Sequence, residues 1–62
     1  MKIGDTVTTT ENTKVKFGYS DGMEGTVIDV FDSDAPFRFA VNFPELGNDQ
    51  FEFFNEDELV KV

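Results

Sequence analysis

The stretch that decides the fold is "FRFAVNF", residues 37–43, in which apolar and other side chains alternate strictly. A β-strand places successive side chains on opposite faces, so this period of two predicts a strand with one buried face. We expect the buried face to carry the odd-numbered residues, namely Phe37, Phe39, Val41 and Phe43. The even-numbered residues of the stretch then lie on the outer face.

Four more strands are predicted around this stretch. They comprise residues 5–10 (DTVTTT), 24–31 (EGTVIDVF), 50–54 (QFEFF) and 60–62 (VKV). The clusters "SDGM", "SDAP" and "PELGND" between them have turn compositions. No window sustains the apolar spacing of a helix. "NEDEL" is long enough only for a single 3₁₀ turn, with Asn55 as its cap.

Five short strands without room for a crossover helix predict an all-β, antiparallel meander. Curling into a five-stranded barrel is the simplest way to protect its edges. The 62 residues predict one domain, residues 1–62, near the lower size limit for independent folding. Its eight Phe supply most of the core.

The absence of Cys excludes a disulfide framework and agrees with a reducing compartment, so we expect a cytoplasmic protein. "MKIGDTV" at the N-terminus contains no apolar run, and no stretch approaches a membrane span. We therefore expect neither a signal peptide nor a membrane partner.

The net charge of −8 is the most informative global property. Phosphate backbones repel such a chain, so direct binding to nucleic acid is not expected. Two interpretations of the charge remain open. It keeps a small, Phe-rich domain soluble, or it forms a binding surface for a basic partner.

"EGTVIDV", the aromatic alternating strand and the ending "FFNEDELVKV" together resemble the SH3-like small-barrel class, including KOW-type domains. The chain is also similar to short acidic, uncharacterised phage and bacterial proteins with "GTV" midway and "ELV" near the end. The resemblance implies a 3₁₀ turn before the last strand. It also implies that Gly25 is required by a positive φ or a bulge. A bulge near Ile28 would let both Val27 and Val30 point inward.

The SH3-like class also implies contacts that this chain is poorly equipped to make. It has no Trp and one Tyr, so a Pro-rich ligand is not expected. The basic loops needed for an RNA contact are absent as well. A phage origin would place the protein in a host cytoplasm, acting on a host protein.

The register of residues 50–54 determines which rings are buried. Pairing Phe43 with Phe51 keeps both inward and places Phe53 inward as well. Phe54 then lies on the outer surface, opposite Ala40. This exposed strand also allows a weak homodimer, so the chain is expected to be a monomer or a weak homodimer.

An outward Phe54 is either covered by residues 10–23 or offered to a partner. That segment carries Phe17 and Tyr19, and these rings beside Phe54 would resemble the peptide groove of SH3 domains. Arg38 lies diagonally within reach of Phe54, where it can stack on the ring or pair with Glu56.

Catalytic chemistry is sparse. The chain has no His or Cys, so the usual general base and thiolate nucleophile are missing, and we do not expect an enzyme. Asp29, Asp32 and Asp34 suggest a Ca²⁺ loop, but the required Gly and terminal Glu are absent. No Gly-rich phosphate loop occurs. No metal or cofactor is therefore expected.

Two function classes remain, besides a folded appendage without a partner surface. The first is a small protein–protein interaction module. Its predicted binding residues are Phe17, Tyr19, Arg38, Phe54, Asp32, Asp34, Glu52 and Glu56. The second is a nucleic-acid mimic that occupies a basic groove of a DNA- or RNA-binding protein. Its predicted carboxylates are those of Asp29, Asp32, Asp34, Glu45, Asp49, Glu52, Glu56, Asp57 and Glu58.

Overall fold

A computed structural model describes residues 1–19, 23–47 and 51–62. Its strands are β1 (Thr6–Thr9), β2 (Glu24–Val30), β3 (Phe39–Asn42), β4 (Phe51–Phe54) and β5 (Leu59–Lys61). One helix, α1 (Glu11–Phe17), follows β1. The first 3₁₀ turn spans Pro44–Leu46, and the second spans Glu56–Glu58.

The five strands form one antiparallel sheet in the order β4-β3-β2-β1-β5. The predicted all-β class and strand number are therefore confirmed. In this order β4 and β5 stand at opposite edges of the sheet. The closed SH3-like barrel stays a prediction. No helix among the described residues is both long enough and apolar enough to cross a membrane.

One face of the sheet, here called the inner face, carries the hydrophobic core. The largest side chains of this core belong to Phe39, Phe43 and Phe54. Smaller apolar residues from the other strands and the β1–β2 connection complete it, namely Val7, Met23, Val27, Val41 and Leu59. The predicted burial of Phe39, Val41 and Phe43 is confirmed. The prediction for Phe37 is wrong, because its ring stacks on the exposed Phe53 outside this core.

The predicted bulge in β2 is confirmed, because the register against β3 shifts between Val27 and Asp29. Val27 lies opposite Val41 before the shift, and Val30 lies opposite Phe39 after it. Since Val41 and Phe39 are both buried, the extra residue puts Val27 and Val30 on one face. Val27 is buried, whereas Val30 stays exposed at the end of the strand.

The reason given by the sequence for Gly25 is wrong. Gly25 has no positive φ, and the bulge lies further along the strand. A Cβ at this position would instead come within 2.7 Å of both the Asn42 carbonyl oxygen and Val41 Cγ1, and within 2.8 Å of Phe43 Cδ1. Gly25 is therefore required by the close approach of β3 to β2.

The predicted register of β4 against β3 is wrong by one residue. Phe54 lies opposite Phe39 and Phe53 lies opposite Ala40, whereas the sequence predicted Phe54 opposite Ala40. A shift of one residue exchanges the two faces of a strand. Phe54 is accordingly only 1% exposed, whereas Phe51 and Phe53 are 47% and 42% exposed.

Helix α1 was not predicted. Thr10 caps its N-terminus by accepting a hydrogen bond from the Thr13 amide at 3.4 Å. Gly18 ends it in the left-handed conformation, with φ of 73°, and its N–H donates to the Lys14 carbonyl. Thr13 is the only residue of the helix that is buried, so no apolar periodicity marks it.

The 3₁₀ turn predicted after β4 is confirmed. Asn55 is its cap, and its amide donates to Glu58 Oε1 at 2.8 Å. The carbonyl of Glu58 accepts a hydrogen bond from the Thr10 amide at 3.1 Å, which ties the turn to the start of α1. The first 3₁₀ turn occupies part of the predicted "PELGND" turn, whose residues 48–49 lie outside the described residues. The same holds for residues 20–22 of "SDGM" and for Gln50, the predicted start of β4.

The register of β4 can be tested by comparing the unfolding free energies of two variants. Phe54→Ala empties a fully buried site and should cost about 3–5 kcal/mol of unfolding free energy. Phe51→Ala removes a half-exposed ring on the same strand and should cost about 1 kcal/mol or less. Urea unfolding measures both. The reverse order would show that the sequence-derived register is right and this one wrong.

Gly25→Ala should destabilise the protein by about 1–3 kcal/mol, because the added methyl overlaps a main-chain oxygen. Thr26→Ala, at the next and exposed position of β2, is the control and should change stability by about 0.5 kcal/mol or less. Thermal unfolding followed by circular dichroism compares the two. An unchanged melting temperature for Gly25→Ala would contradict the close approach.

Candidate protein-binding surface

The rings of Phe17, Tyr19 and Phe54 do come together, as the sequence predicted. The Phe17 ring centroid lies 5.6 Å from that of Tyr19 and 6.1 Å from that of Phe54. Tyr19 also lies 5.4 Å from Phe43, and Phe43 lies 5.8 Å from Phe54. We call these four rings the inner aromatic cluster, because Phe43 and Phe54 belong to the core.

The role predicted for Phe54 as an exposed binding ring is wrong, since Phe54 is the buried member of this cluster, with 1% exposure. Of the two alternatives that the sequence left open, the structure shows coverage by the segment after β1. The end of α1 places Phe17 over Phe54, and Gly18 turns the chain so that Tyr19 packs beside it. Phe17 remains 46% exposed, with Lys16 Nζ 5.3 Å from its ring centroid.

Tyr19 is half-buried in the inner aromatic cluster, and its environment disfavours the charged phenolate. Burial raises the pKa of the Tyr19 hydroxyl above its usual range, and the negative charge of Glu52 raises this pKa further. Glu52 was predicted at the rim of the binding site. By register it lies opposite Val41, on the same face of β4 as Phe54.

A second group of rings, which the sequence did not predict, lies on the outer face of the sheet. Phe37 stacks on Phe53 with centroids 4.1 Å apart and an interplanar angle of 19°. Phe31 meets both rings edge-on, at 5.3 Å from Phe37 and 6.0 Å from Phe53. Phe51 extends the group along β4, at 5.5 Å from Phe53. We call these four rings the outer aromatic cluster.

Arg38 holds the β2–β3 hairpin against β4. The Phe31 amide donates to the Arg38 carbonyl at 2.8 Å, while the Arg38 amide donates to the Phe54 carbonyl at 3.0 Å. Since the Arg38 amide is used on β4, the return hydrogen bond to the Phe31 carbonyl comes from Arg38 Nε, at 3.2 Å. Arg38 was predicted to stack on Phe54 or pair with Glu56. Its Nε donates instead to the Phe31 carbonyl, within the hairpin that carries Phe31 and Phe37.

Beside this cluster, Ala40 and Asp29 are the cross-strand neighbours of Phe53 on the outer face. Asp29 of β2 lies opposite Ala40 of β3, which in turn lies opposite Phe53 of β4. Ala40 is buried although it is on the outer face, so the surrounding side chains cover it. Asp29 is exposed, with its Oδ1 accepting a hydrogen bond from the Val30 amide at 2.9 Å.

The other acidic residues predicted at the binding site are distributed over two regions. Asp32 and Asp34 are exposed in the β2–β3 hairpin, where the Asp32 carbonyl accepts a hydrogen bond from the Ala35 amide at 3.0 Å. Glu56 is exposed at the start of the second 3₁₀ turn. Asp49, one of the predicted mimic carboxylates, lies outside the described residues.

Few of the described carboxylates are neutralised by ion pairs. Within the described residues, the ion pairs are Lys14 with Glu11 at 3.6 Å and Lys61 with Asp5 at 3.8 Å. No three described acidic residues are close enough to hold a metal ion together, and the described part of the chain encloses no pocket. The surface is thus open, aromatic and acidic.

No family model matches this chain, and no curated protein or solved structure matches it significantly. The geometry of the two clusters is therefore the basis for any functional interpretation.

Sequence reasoning missed Phe31, Phe37, Phe51 and Phe53 as a surface group. A signal for them was present, because eight Phe are many for the interior of a 62-residue chain. Phe31 and Phe37 also flank the hairpin turn at equal distances from its centre. By register Phe31 lies opposite Arg38, so Phe37 is the next residue along the hairpin and its ring comes within 5.3 Å of Phe31.

The pKa of Tyr19 can be measured without interference, because it is the only tyrosine. Its tyrosinate absorbance should appear above pH 10, and Glu52→Gln should lower the pKa by removing the nearby charge. Since the folded-state pKa lies above the unfolded-state value, stability should be retained below pH about 10 and fall as pH rises through the folded-state pKa. An unshifted titration would contradict the packing of Tyr19 into the inner aromatic cluster.

Proposed function

We propose that this protein is a small, non-catalytic protein–protein interaction module that binds its partner through the outer aromatic cluster. The observation that carries the proposal is the exposure of Phe51 and Phe53, at 47% and 42%, on an edge strand. With about 200 Å² per ring, these two side chains alone present on the order of 200 Å² of aromatic surface. The rings of Phe31 and Phe37 contact Phe53 and extend this surface, and contiguous exposed apolar patches of a few hundred Å² mark interaction sites.

The size of the chain makes this arrangement costly, which supports a functional role. A domain of about 60 residues buries only about 60% of its unfolded surface and has little stability to spare. Burying a Phe side chain fully contributes about 1.5–3 kcal/mol. Four of the eight Phe nevertheless belong to the outer aromatic cluster.

We also propose that the fold is an SH3-like barrel, as the sequence resemblance implied, which within the described residues stays open between its edge strands β4 and β5. The meander from β1 to β4, the return of β5 to pair with β1, and the 3₁₀ turn between β4 and β5 support this. The interaction surface proposed here differs from the groove predicted from the sequence, since Phe54 is buried. A bacterial host protein in the cytoplasm is the partner that the resemblance to phage and bacterial chains favours.

The sparse ion pairing of the carboxylates favours a second candidate, a nucleic-acid mimic that occupies a basic groove. The chain has 13 acidic and 5 basic residues, and among the described residues most carboxylates are outside the two ion pairs. Such a mimic would bind through charge alone. Its affinity would fall steeply with salt. At physiological ionic strength the Debye length is about 8 Å, and charges farther apart than this attract each other only weakly.

The two candidates are separated by capture from a bacterial lysate with matched variants at low and high salt. Phe51→Ala and Phe17→Ala each remove a ring of nearly equal exposure, 47% and 46%, from opposite faces of the sheet. If the protein is an interaction module, Phe51→Ala should reduce the binding free energy by about 2 kcal/mol or more, so that the partner is no longer captured. Phe17→Ala should still capture it. High salt should have little effect.

A partner that is lost at high salt and kept by both variants would identify the mimic instead. A partner kept by Phe51→Ala at high salt would overturn the proposed use of the outer aromatic cluster. Thermal unfolding of both variants, done first, ensures that the lysate experiment compares folded proteins.

A further inference from the structure

We infer that the outer aromatic cluster binds an extended, cationic segment of a partner protein, which adds to β4 as a further strand. The Arg or Lys side chains of that segment then lie over the rings of Phe51 and Phe53. This inference rests on the proposed function, and it specifies the conformation and the chemistry of the partner.

The backbone of β4 can accept such a segment. Within the described residues β4 is an edge strand that pairs with β3 alone. Half of the main-chain groups of an edge strand point away from its neighbour and can pair with an added strand. The β4 sequence FEFF contains neither Lys nor Pro, and its one charged residue is Glu52, which would not repel a cationic segment.

The exposed rings lie where alternate side chains of an added strand would reach. Phe51 and Phe53 share one face of β4, and their rings lie 5.5 Å apart. A strand added to this edge runs about 4.8 Å from β4, and every second side chain projects on the face of these rings. A guanidinium or ammonium group at these positions can lie over a ring, within about 6 Å of its centroid.

The charges around the cluster select a cationic partner. Asp29 is on the same face as Phe53, two strands away, which corresponds to about 10 Å between backbones. Asp32 and Asp34 are exposed in the hairpin that carries Phe31 and Phe37. Arg38 is the only basic residue in the hairpin segment, and its Nε is engaged by the Phe31 carbonyl.

The same charges argue against a second copy of this chain as the occupant. Each copy carries a net charge of −8, and pairing of two β4 edges would place Glu52 and the hairpin carboxylates of both copies together. Like charges juxtaposed across an interface cost several kcal/mol. The same carboxylates attract a cationic segment and repel a second copy of the chain.

The probe is a fluorescently labelled synthetic peptide of about ten residues, the upper end of common strand lengths, in which Arg and Thr alternate. Three matched peptides isolate the contributions: one with Glu in place of Arg, one with Lys, and one with every main-chain amide N-methylated. Fluorescence anisotropy gives the affinities. Amide chemical shifts of the protein show whether residues 51–54 respond.

We expect the Arg peptide to bind, the Lys peptide to bind more weakly, and the Glu peptide not to bind. N-methylation should weaken binding about tenfold or more, since it removes the donors to the edge of β4. Phe51→Ala should weaken binding about tenfold or more, because a ring that carries a cation is lost. Phe17→Ala should leave the affinity within about twofold.

Equal binding of the N-methylated peptide would overturn the added strand. Equal binding to Phe51→Ala would show attraction by charge alone and would also overturn the inference. A Phe51-dependent partner from the lysate, with no binding of the Arg peptide, would leave the proposed function standing and refute this inference only. Sedimentation of the free protein as a dimer that Phe51→Ala dissociates would show that a second copy occupies the edge.

Discussion

The pairing register of β4 against β3 is the constraint on which the rest of the structure depends. With Phe54 opposite Phe39, one ring of β4 enters the core and two leave it. A shift by one residue would move Phe51 and Phe53 inward and turn Phe54 out. The core would exchange one ring for two, and the outer face would lose Phe51 and Phe53. The register therefore determines both the fold and the candidate site.

This register is stabilised from both faces of the sheet. On the inner face, Phe54 meets Phe43 and Tyr19, and the end of α1 covers it with Phe17. On the outer face, Phe53 stacks on Phe37 at 4.1 Å. Aromatic pairs contribute about 0.5–1.5 kcal/mol each beyond the area that they bury. The outer aromatic cluster therefore stabilises the strand arrangement that exposes it, which links its structural role to its proposed binding role.

The sequence predicted the strands, the bulge in β2 and the second 3₁₀ turn, because each has a local signal that tertiary contacts do not alter. It did not predict the register, because "FEFF" can place either Phe51 and Phe53 or Phe54 on the inner face. The prediction chose the register that buries two rings. One contact that stabilises the observed register comes from α1, a helix marked only by its caps, Thr10 and Gly18. The predicted site assembled three rings correctly, but without the helix it could not show that one was buried.

Exposed rings on an open edge strand promote association, whereas an acidic surface usually prevents it. In this chain they meet at one edge strand, where Phe51 and Phe53 lie on the outer face and Glu52 lies on the other. Carboxylates cannot suppress a cationic partner as they suppress a second acidic chain, so the combination discriminates between partners by charge while the rings and main chain supply short-range contacts. Screening limits this discrimination to groups within about 8 Å. Specificity at the edge must therefore come from Glu52 on β4 itself, whereas Asp29, two strands away, and the remaining charge act mainly on the rate of encounter.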